Sequence, residues 1–394
     1  MLEIQKFLQT NTPAELTAQL GIKAKSHPKY PNLLHLSYDQ IESPKDNAIV
    51  HECRGLILDS ADNWKVIAYP FNRFPNYGET WGAPINWNRV RVQEKVDGSL
   101  MVLWYYAGKW NVSTKGSPDA GGNVGDYNFT FADLFWKTFM EHLDIGYTTA
   151  FDSRHTYMIE LTSIYNRVVC SYGKATQLTL IGARDLSSPG YPEIPVETFT
   201  DELPFPVLPV VREYPLNSVE DIIKAAEALN PMQNEGFVVV DANFHRCKIK
   251  SPSYVMIHHL KDGFGQRRII RLIQLGEESE VLSYFPEYQE MFDDIQARID
   301  VKLAEIEADY ERIKHLTDRK EFALEAVKTS CPDVLFGLFT GLGTNVREYV
   351  LHSKKVMKKA TALEPAMEHF RYAEDKIERM IGLKDRSPLV IGAE

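Results

Sequence analysis

The chain has 394 residues, 44% of them hydrophobic and 25% charged, with a formal net charge of −10. That length allows one large domain and a smaller one. The composition is that of a soluble globular protein, and the acidic balance argues against one that coats nucleic acid through charge alone. A local basic cleft stays compatible with it, because net charge says little about a focused field. No apolar run approaches the roughly 20 residues that span a bilayer. The opening Met1-Leu2-Glu3-Ile4-Gln5-Lys6 lacks the basic-then-apolar layout of a secretory leader. Cys53, Cys170, Cys247 and Cys331 are far apart and form no Cys-x-x-Cys pair. A disulfide framework or zinc site is therefore not expected, and a reducing cytoplasm is (the host's, for a viral chain).

In chain order, the region from about residue 37 to 254 reads as short strands. Strands are expected at 54–58, 100–106, 156–161, 178–182 and 236–240. Turn clusters such as Asp59-Ser60-Ala61-Asp62-Asn63, Ala107-Gly108-Lys109 and Asp241-Ala242-Asn243 separate or follow them. Helices are expected at 128–143 and 218–229. After Tyr254 the texture turns helical: Ile295, Ile299, Leu303, Ile306, Tyr310 and Ile313 recur at spacings of three and four. Cys331-Pro332-Asp333 breaks and restarts that pattern, with Asp333 as the expected cap, and Gly341, Gly343 and Asn345 mark another turn. The pattern predicts an α+β domain over 1–255 and an all-α domain over 256–394.

The chemistry centres on Gln93-Glu94-Lys95-Val96-Asp97-Gly98-Ser99-Leu100. A lysine held at the mouth of a strand, beside a carboxylate and a tight turn, is a candidate nucleophile. It attacks only as the neutral amine, which burial or nearby cations favour. Arg54, Arg73, Lys115, Lys248 and Lys250 are the candidate cations. Lys248 and Lys250, two apart on a strand, point to one face, and a nucleotide phosphate would offset their repulsion. Glu160 closes one strand, and Glu235 opens another beside a glycine that lets a ligand approach the backbone. With Asp97 they could hold a hydrated Mg²⁺ at the α-phosphate. Each motif is weak by itself: Lys-x-Asp-Gly is a common turn, and Lys-x-Lys is usually the wet face of a strand. His258-His259, followed by Lys261-Asp262, lacks a third spaced metal ligand. Gly263-Phe264-Gly265-Gln266-Arg267-Arg268 lacks the strand and third glycine of a phosphate loop. Both are set aside.

The order of the motifs is more specific than any of them. Lys-x-Asp-Gly, a strand ending in Glu, a strand into Gly182-Ala183-Arg184, Glu-Gly, then Lys-x-Lys resembles the series of covalent nucleotidyltransferases, the ATP-dependent polynucleotide ligase and mRNA-capping superfamily. More narrowly the chain resembles the RNA ligase 1 family of T-even phages. The likeness runs through Glu52-Cys53-Arg54-Gly55, Pro70-Phe71-Asn72-Arg73-Phe74 with Asn76, Thr114-Lys115-Gly116-Ser117, and Glu160 through Tyr165-Asn166-Arg167-Val168-Val169. It spans about residues 54 to 254. It departs from the family pattern at Phe74-Pro75, where a second aromatic is expected.

The resemblance implies a nucleotidyltransferase domain on antiparallel sheets with flanking helices. It implies that Lys95 carries AMP, that Arg54, Arg73, Lys115, Lys248 and Lys250 contact ATP phosphates or the adenylate, and that Glu160 holds the ribose or a metal-bound water. Asp97 and Glu235 would position the Mg²⁺ (or Mn²⁺) shell, and Glu94 would help read adenine through its backbone. Gly98 counts among the nucleotide-contacting positions, and Tyr254 supports the pocket. Glu277 and Glu278 are the counterparts of acidic metal residues downstream. The implied reaction joins 5′-phosphate and 3′-hydroxyl RNA ends, broken tRNA among them, by a monomer. The rivals are a DNA ligase or capping guanylyltransferase, which normally carry a β-rich oligonucleotide-binding barrel after the last lysine motif, and a non-catalytic RNA-binding module. In this family a helical C-terminal domain is associated with substrate choice. Lys354, Lys355, Lys358 and Lys359 form a basic cluster there that suits backbone phosphates as well as it suits a solvated helix face.

Overall fold

The strand Ser99–Tyr106 is apolar on both faces because both are covered. Met101 and Leu103 pack with Tyr157, Ile159 and Phe135, whereas Val102 and Trp104 pack with Leu33, Ile57 and Ala68. A two-sided core calls for a continuous hydrophobic run, where a half-exposed strand would alternate. In this computed structural model, which describes residues 1–142, 151–201, 208–260, 265–352 and 374–382, the chain divides into two compact units, Met1–His258 and His259–Glu394.

The first unit holds three antiparallel sheets among its described residues. β1 (Ile22–Ser26), β2 (Leu33–Tyr38), β3 (Arg54–Asp59) and β4 (Lys65–Ala68) pair in that order. The chain continues through β5 (Val90–Glu94), β6 (Ser99–Tyr106), β7 (Lys109–Thr114), β8 (His155–Thr162), β9 (Gln177–Asp185), β10 (Glu193–Ile194), β11 (Glu213–Tyr214), β12 (Gly236–Asp241) and β13 (Arg246–Lys250). The second sheet has the order β10-β9-β8-β6-β7, and the third β11-β5-β12-β13. Every strand expected from the sequence is present. β1 and most of β2 precede the region expected to hold strands. β1, Ile-Lys-Ala-Lys-Ser, buries only Ile22 fully and so carries almost no apolar pattern.

Alternation in the third sheet decides what faces the nucleotide-sized hollow described below. Phe237, Val239, Cys247 and Ile249 bury against Ile222 and Ala226 of the helix Val219–Glu227. The intervening Val238 and Lys248 pair across the strands, as do Val238 and Gln93, on the opposite face. The two expected helices both begin at a polar cap. Ser218 Oγ accepts the Asp221 N–H at 3.1 Å. Thr130 and Asp133 exchange reciprocal bonds of 2.8 and 3.1 Å, which starts that helix at Phe131 rather than 128.

The second unit is helical. Its helix Gln289–Ile313 buries Phe292, Ile295, Ile299, Leu303, Ile306 and Ile313 along one face, while Tyr310 is only partly buried. This face shares a core with Ile269, Ile270, Leu272 and Ile273 of the helix Gln266–Leu275. The expected Asp333 cap is corrected: Cys331 is the cap residue, Pro332 opens the helix Pro332–Phe339, and Asp333 lies in its first turn. There its charge suits the helix dipole, and Lys376 pairs with it at 2.6 Å. No helix among the described residues is long and apolar enough to cross a membrane. Lys354, Lys355, Lys358 and Lys359 lie outside the described residues, as do Lys261, Asp262, Gly263 and Phe264.

Candidate functional site

Lys95 sits where the chain crosses from the third sheet to the second. β5 ends at Glu94, β6 begins at Ser99, and the connection is Lys95-Val96-Asp97-Gly98. The Lys95 N–H donates to the Gly236 carbonyl at 2.9 Å, which ties the crossover to the edge of β12. Gly98 is required by space: a Cβ there would lie 2.4 Å from the Leu161 carbonyl oxygen. Gly236 is required twice over, with φ at +152° and a Cβ position 2.3 Å from the Ile249 oxygen.

Asp97 is buried and acts as the crossover's anchor. Its Oδ2 accepts the N–H groups of Val169 and Cys170 at 3.0 and 2.8 Å. Its Oδ1 accepts the Tyr254 hydroxyl at 2.8 Å, and its own N–H donates to the Tyr172 hydroxyl at 2.8 Å. Asn166, in the loop after β8, donates to Ser99 Oγ at 3.0 Å and to the Leu161 carbonyl at 2.8 Å. Asn166 thus fastens the β8 loop to the start of β6.

Lys95 heads a cavity of about 370 Å³. Its Nζ donates to Glu235 Oε2 at 2.5 Å, and Lys250 Nζ lies 3.1 Å from Glu235 Oε1. One carboxylate, 2% exposed, therefore bridges two ammonium groups. Arg54, Lys115, Lys248 and Lys250 line the same cavity with Glu94 and Glu160. Arg54 Nη1 is buried without a hydrogen-bond partner, an unmet donor beside a polar hollow. Lys115 Nζ stands 3.8 Å from the Tyr38 ring centroid. Burial, reinforced by Arg54 and Arg73 and opposed by Tyr38, lowers the Lys115 pKa. Burial would raise the Tyr38 phenol, but Lys115, Arg54, Arg73 and Lys248 together outweigh it and bring the hydroxyl down to about 8. Burial holds the Glu160 carboxyl up at about 7, with Glu235 and Asp97 adding to the effect and Lys95 and Arg54 opposing it. Burial also raises Glu94, against Arg212.

The structure thus gathers Lys95, Glu94, Gly98, Arg54, Lys115, Glu160, Lys248 and Lys250 around one cavity, with Glu235 directly behind the two lysines. Tyr254 supports it from beneath through Asp97 and lies 5.6 Å, ring to Nζ, from Lys250. The other expected residues stand as follows. Asp97 has both oxygens engaged by the scaffold, and Glu235 has both on ammonium groups. No group of three His, Cys, Asp or Glu able to hold a metal occurs among the described residues. Arg73 lines a neighbouring hollow rather than this one, with its guanidinium 4.2 Å from the Tyr38 ring. Glu277 and Glu278 belong to the second unit, at and just before the start of the helix Glu278–Tyr284. Sequence reasoning did not single out Tyr38, Gln93, Val238 and Arg246, which also line the cavity. Gln93 and Val238 could have been found from strand alternation opposite Lys248; Tyr38 carries no local signal.

A hydrated divalent cation fits this site through Glu160. Such an ion keeps most of its water and takes one or two carboxylates plus substrate phosphates. Glu160 is a carboxylate on the cavity wall without a direct ammonium pair, facing the volume that the cations surround.

An α+β fold of antiparallel sheets that holds a polyanion-sized, cation-lined cavity at a lysine defines the class structurally. Comparison with known proteins gives the family. The pattern of the RNA ligase family matches residues 52–254, and the chain belongs to that family. It is 30% identical over 305 residues to a protein of Autographa californica nuclear polyhedrosis virus named for a bifunctional polynucleotide kinase/RNA ligase, covering 73% of this chain and 42% of that protein. The chain thus spans less than half the length of this relative. It is 27% identical over 339 residues to an RNA ligase of Rhodothermus phage RM378, covering 69% of this chain and 77% of the relative. Among solved structures, an archaeal ATP-dependent RNA ligase is similar at 15% identity with a TM-score of 0.43, covering 68% of each chain.

Proposed function

We propose that the chain is an ATP-dependent RNA ligase that works through a lysyl-adenylate on Lys95. The observation that carries this reading is the Glu235 carboxylate shared between Lys95 and Lys250 at the head of a cavity lined by further cations. In the first step Lys95 Nζ attacks the α-phosphorus of ATP. A P–N bond forms, the bond to the bridging oxygen breaks, and pyrophosphate leaves. Glu235, within hydrogen-bond reach of Nζ, takes one proton from the ammonium to free the attacking amine, and the second is lost to solvent as the P–N bond forms. Arg54, Lys115, Lys248 and Lys250 face the charge that builds on the phosphoryl oxygens, which is the main requirement of a phosphoryl transfer.

In the second step an oxygen of an RNA 5′-phosphate attacks the adenylate phosphorus. The P–N bond breaks, and Lys95 leaves as the amine, recovering its proton from Glu235. In the third step a 3′-hydroxyl attacks the activated 5′-phosphorus, a phosphodiester forms, AMP leaves, and the hydroxyl proton is lost to solvent. Mg²⁺ or Mn²⁺, held by Glu160 and the phosphates, would supply further charge neutralisation when bound. The substrates are RNA ends with a 5′-phosphate and a 3′-hydroxyl, broken tRNA among them, and the helical unit selects between them. A monomer in a reducing cytoplasm is the proposed setting, in keeping with four free cysteines.

The test is direct. The protein is mixed with α-labelled ATP and Mg²⁺, denatured and run on a gel. Label is expected on the wild-type chain and none on Lys95→Ala. An unlabelled wild type, or equal labelling of both, would sink the proposal.

A further inference from the structure

Beside the first cavity lies a second, of about 420 Å³, which shares Phe74 and Arg246 with it. Its charged lining is three arginines, Arg73, Arg184 and Arg246, against one glutamate, Glu193. Arg184 and Arg246 both hold Glu193, at 2.9 and 2.6 Å, so that triad keeps one positive charge. Arg73 adds a second to the lining, with the carboxylates of Glu79 and Asp39 acting on it from outside the hollow. It is only 7% exposed, and its Nη1 is buried with no hydrogen-bond partner. Its guanidinium is stacked near the rings of Tyr38 and Trp81, at 4.2 and 5.1 Å. A buried cation with an unmet donor is costly unless an anion completes it. Tyr191, Phe244 and Phe74 add aromatic surface to the same walls, and such rings stack on nucleobases without regard to sequence. The volume falls in the range of small-ligand sites.

We infer that this second hollow binds the 5′-terminal, phosphorylated nucleotide of the RNA strand that receives AMP. The inference rests on the ligase reading above and adds the place of the second substrate. A phosphomonoester end brings about two negative charges to match the net two positive ones. A 3′-hydroxyl end brings none at its terminus. The shared wall of Phe74 and Arg246 puts a phosphate held here next to the cavity in which the lysyl-adenylate forms.

The experiment uses the full chain with its adenylate formed in advance and freed of ATP. A 5′-phosphorylated oligoribonucleotide is added with Mg²⁺ at varied concentration, and loss of protein-bound label is followed in a single turnover. Two variants fill the hollow from its exposed rim, Ala83→Trp and Asn243→Trp. Labelling of Lys95 is expected to stay within about twofold of wild type, while half-saturation by the RNA rises about tenfold or more. The same strand with a 5′-hydroxyl is expected to compete at least about tenfold more weakly against wild type. In a mutation-free arm, a strand with 5′-terminal phosphorylated 4-thiouridine is irradiated on the wild-type protein, and the cross-link is expected in peptides that contain Tyr191 or Phe244. Unchanged half-saturation in both variants, equal competition by the 5′-hydroxyl strand, or cross-links confined to other peptides would overturn the inference. A wild type that never labels on Lys95 fails before RNA is added; that result defeats the ligase reading and this inference with it.

Discussion

Replacing Glu160 with glutamine should stabilise the first unit at high pH while damaging catalysis. Burial raises the Glu160 carboxyl from 4.5 to about 7. At about 1.4 kcal/mol per pH unit, that corresponds to roughly 3 kcal/mol against its charged form. Glu160 is half-buried on the cavity wall, so water screens part of this, and about 1–2 kcal/mol is the expected effect. The sign follows from proton counting. Below pH 4.5 both folded and unfolded carboxyls are protonated, and no penalty exists. Between 4.5 and 7 the unfolded chain releases its proton while the folded one keeps it, so wild-type stability falls as pH rises; above about 7 the penalty is complete. Glutamine is neutral throughout and escapes it. The assay is urea unfolding followed by tryptophan fluorescence at pH 5 and pH 8, without nucleotide or divalent ions. All six tryptophans (Trp64, Trp81, Trp87, Trp104, Trp110 and Trp136) lie in the first unit, so the signal reports that unit alone. The advantage of Glu160→Gln should be small at pH 5 and reach about 1–2 kcal/mol at pH 8. An advantage that is equal at both pH values, or larger at pH 5, would refute the reasoning.

Other consequences follow from individual contacts. Glu235→Gln removes the carboxylate that bridges Lys95 and Lys250, and adenylate formation should fall about 100-fold or more, read as the initial rate of labelling; a change under threefold would remove Glu235 from the proton transfer. Tyr254→Phe deletes the 2.8 Å bond to Asp97 and should lower the first unit's stability by about 1–3 kcal/mol, measured by the same urea curves. Tyr38 has its hydroxyl lowered to about 8, so it is neutral below that pH and anionic above it. Apparent ATP affinity of the wild type should therefore weaken above about pH 8, as a phenolate meets the phosphates, and Tyr38→Phe should abolish that dependence.

Much of the fold was legible because its strands carry unmixed signals. β6, β8, β9 and β12 are apolar runs between turn clusters, and the helix Gln289–Ile313 shows its buried face as a spacing of three and four. β1 escaped because a short strand with one fully buried residue has almost no pattern. The Asp333 cap was misplaced by two residues because Pro332 can open a helix from a cap residue, Cys331, that makes no side-chain bond. The site was legible as an ordered set of residue types, but the partners within it were not. Asp97 and Glu235 look alike in sequence, each an acidic residue followed by glycine. Asp97 meets backbone N–H groups and a tyrosine hydroxyl, and Glu235 meets two ammonium groups.

The amino-acid order by itself marked the candidate residues: a lysine in a tight crossover, one glutamate near the end of β8, another just before β12, and a pair of lysines on one strand face. Those follow from local rules of alternation and backbone freedom, which short stretches of chain obey without help. The tertiary structure alone decided that Tyr38 stands among Lys115, Arg54, Arg73 and Lys248, that Arg73 belongs to a second hollow, and that one carboxylate serves both Lys95 and Lys250. These contacts join segments far apart in the chain, such as Lys95 with Glu235 at a separation of 140. Charge and burial act through space, and which charges become neighbours is settled only when the three sheets close on one another.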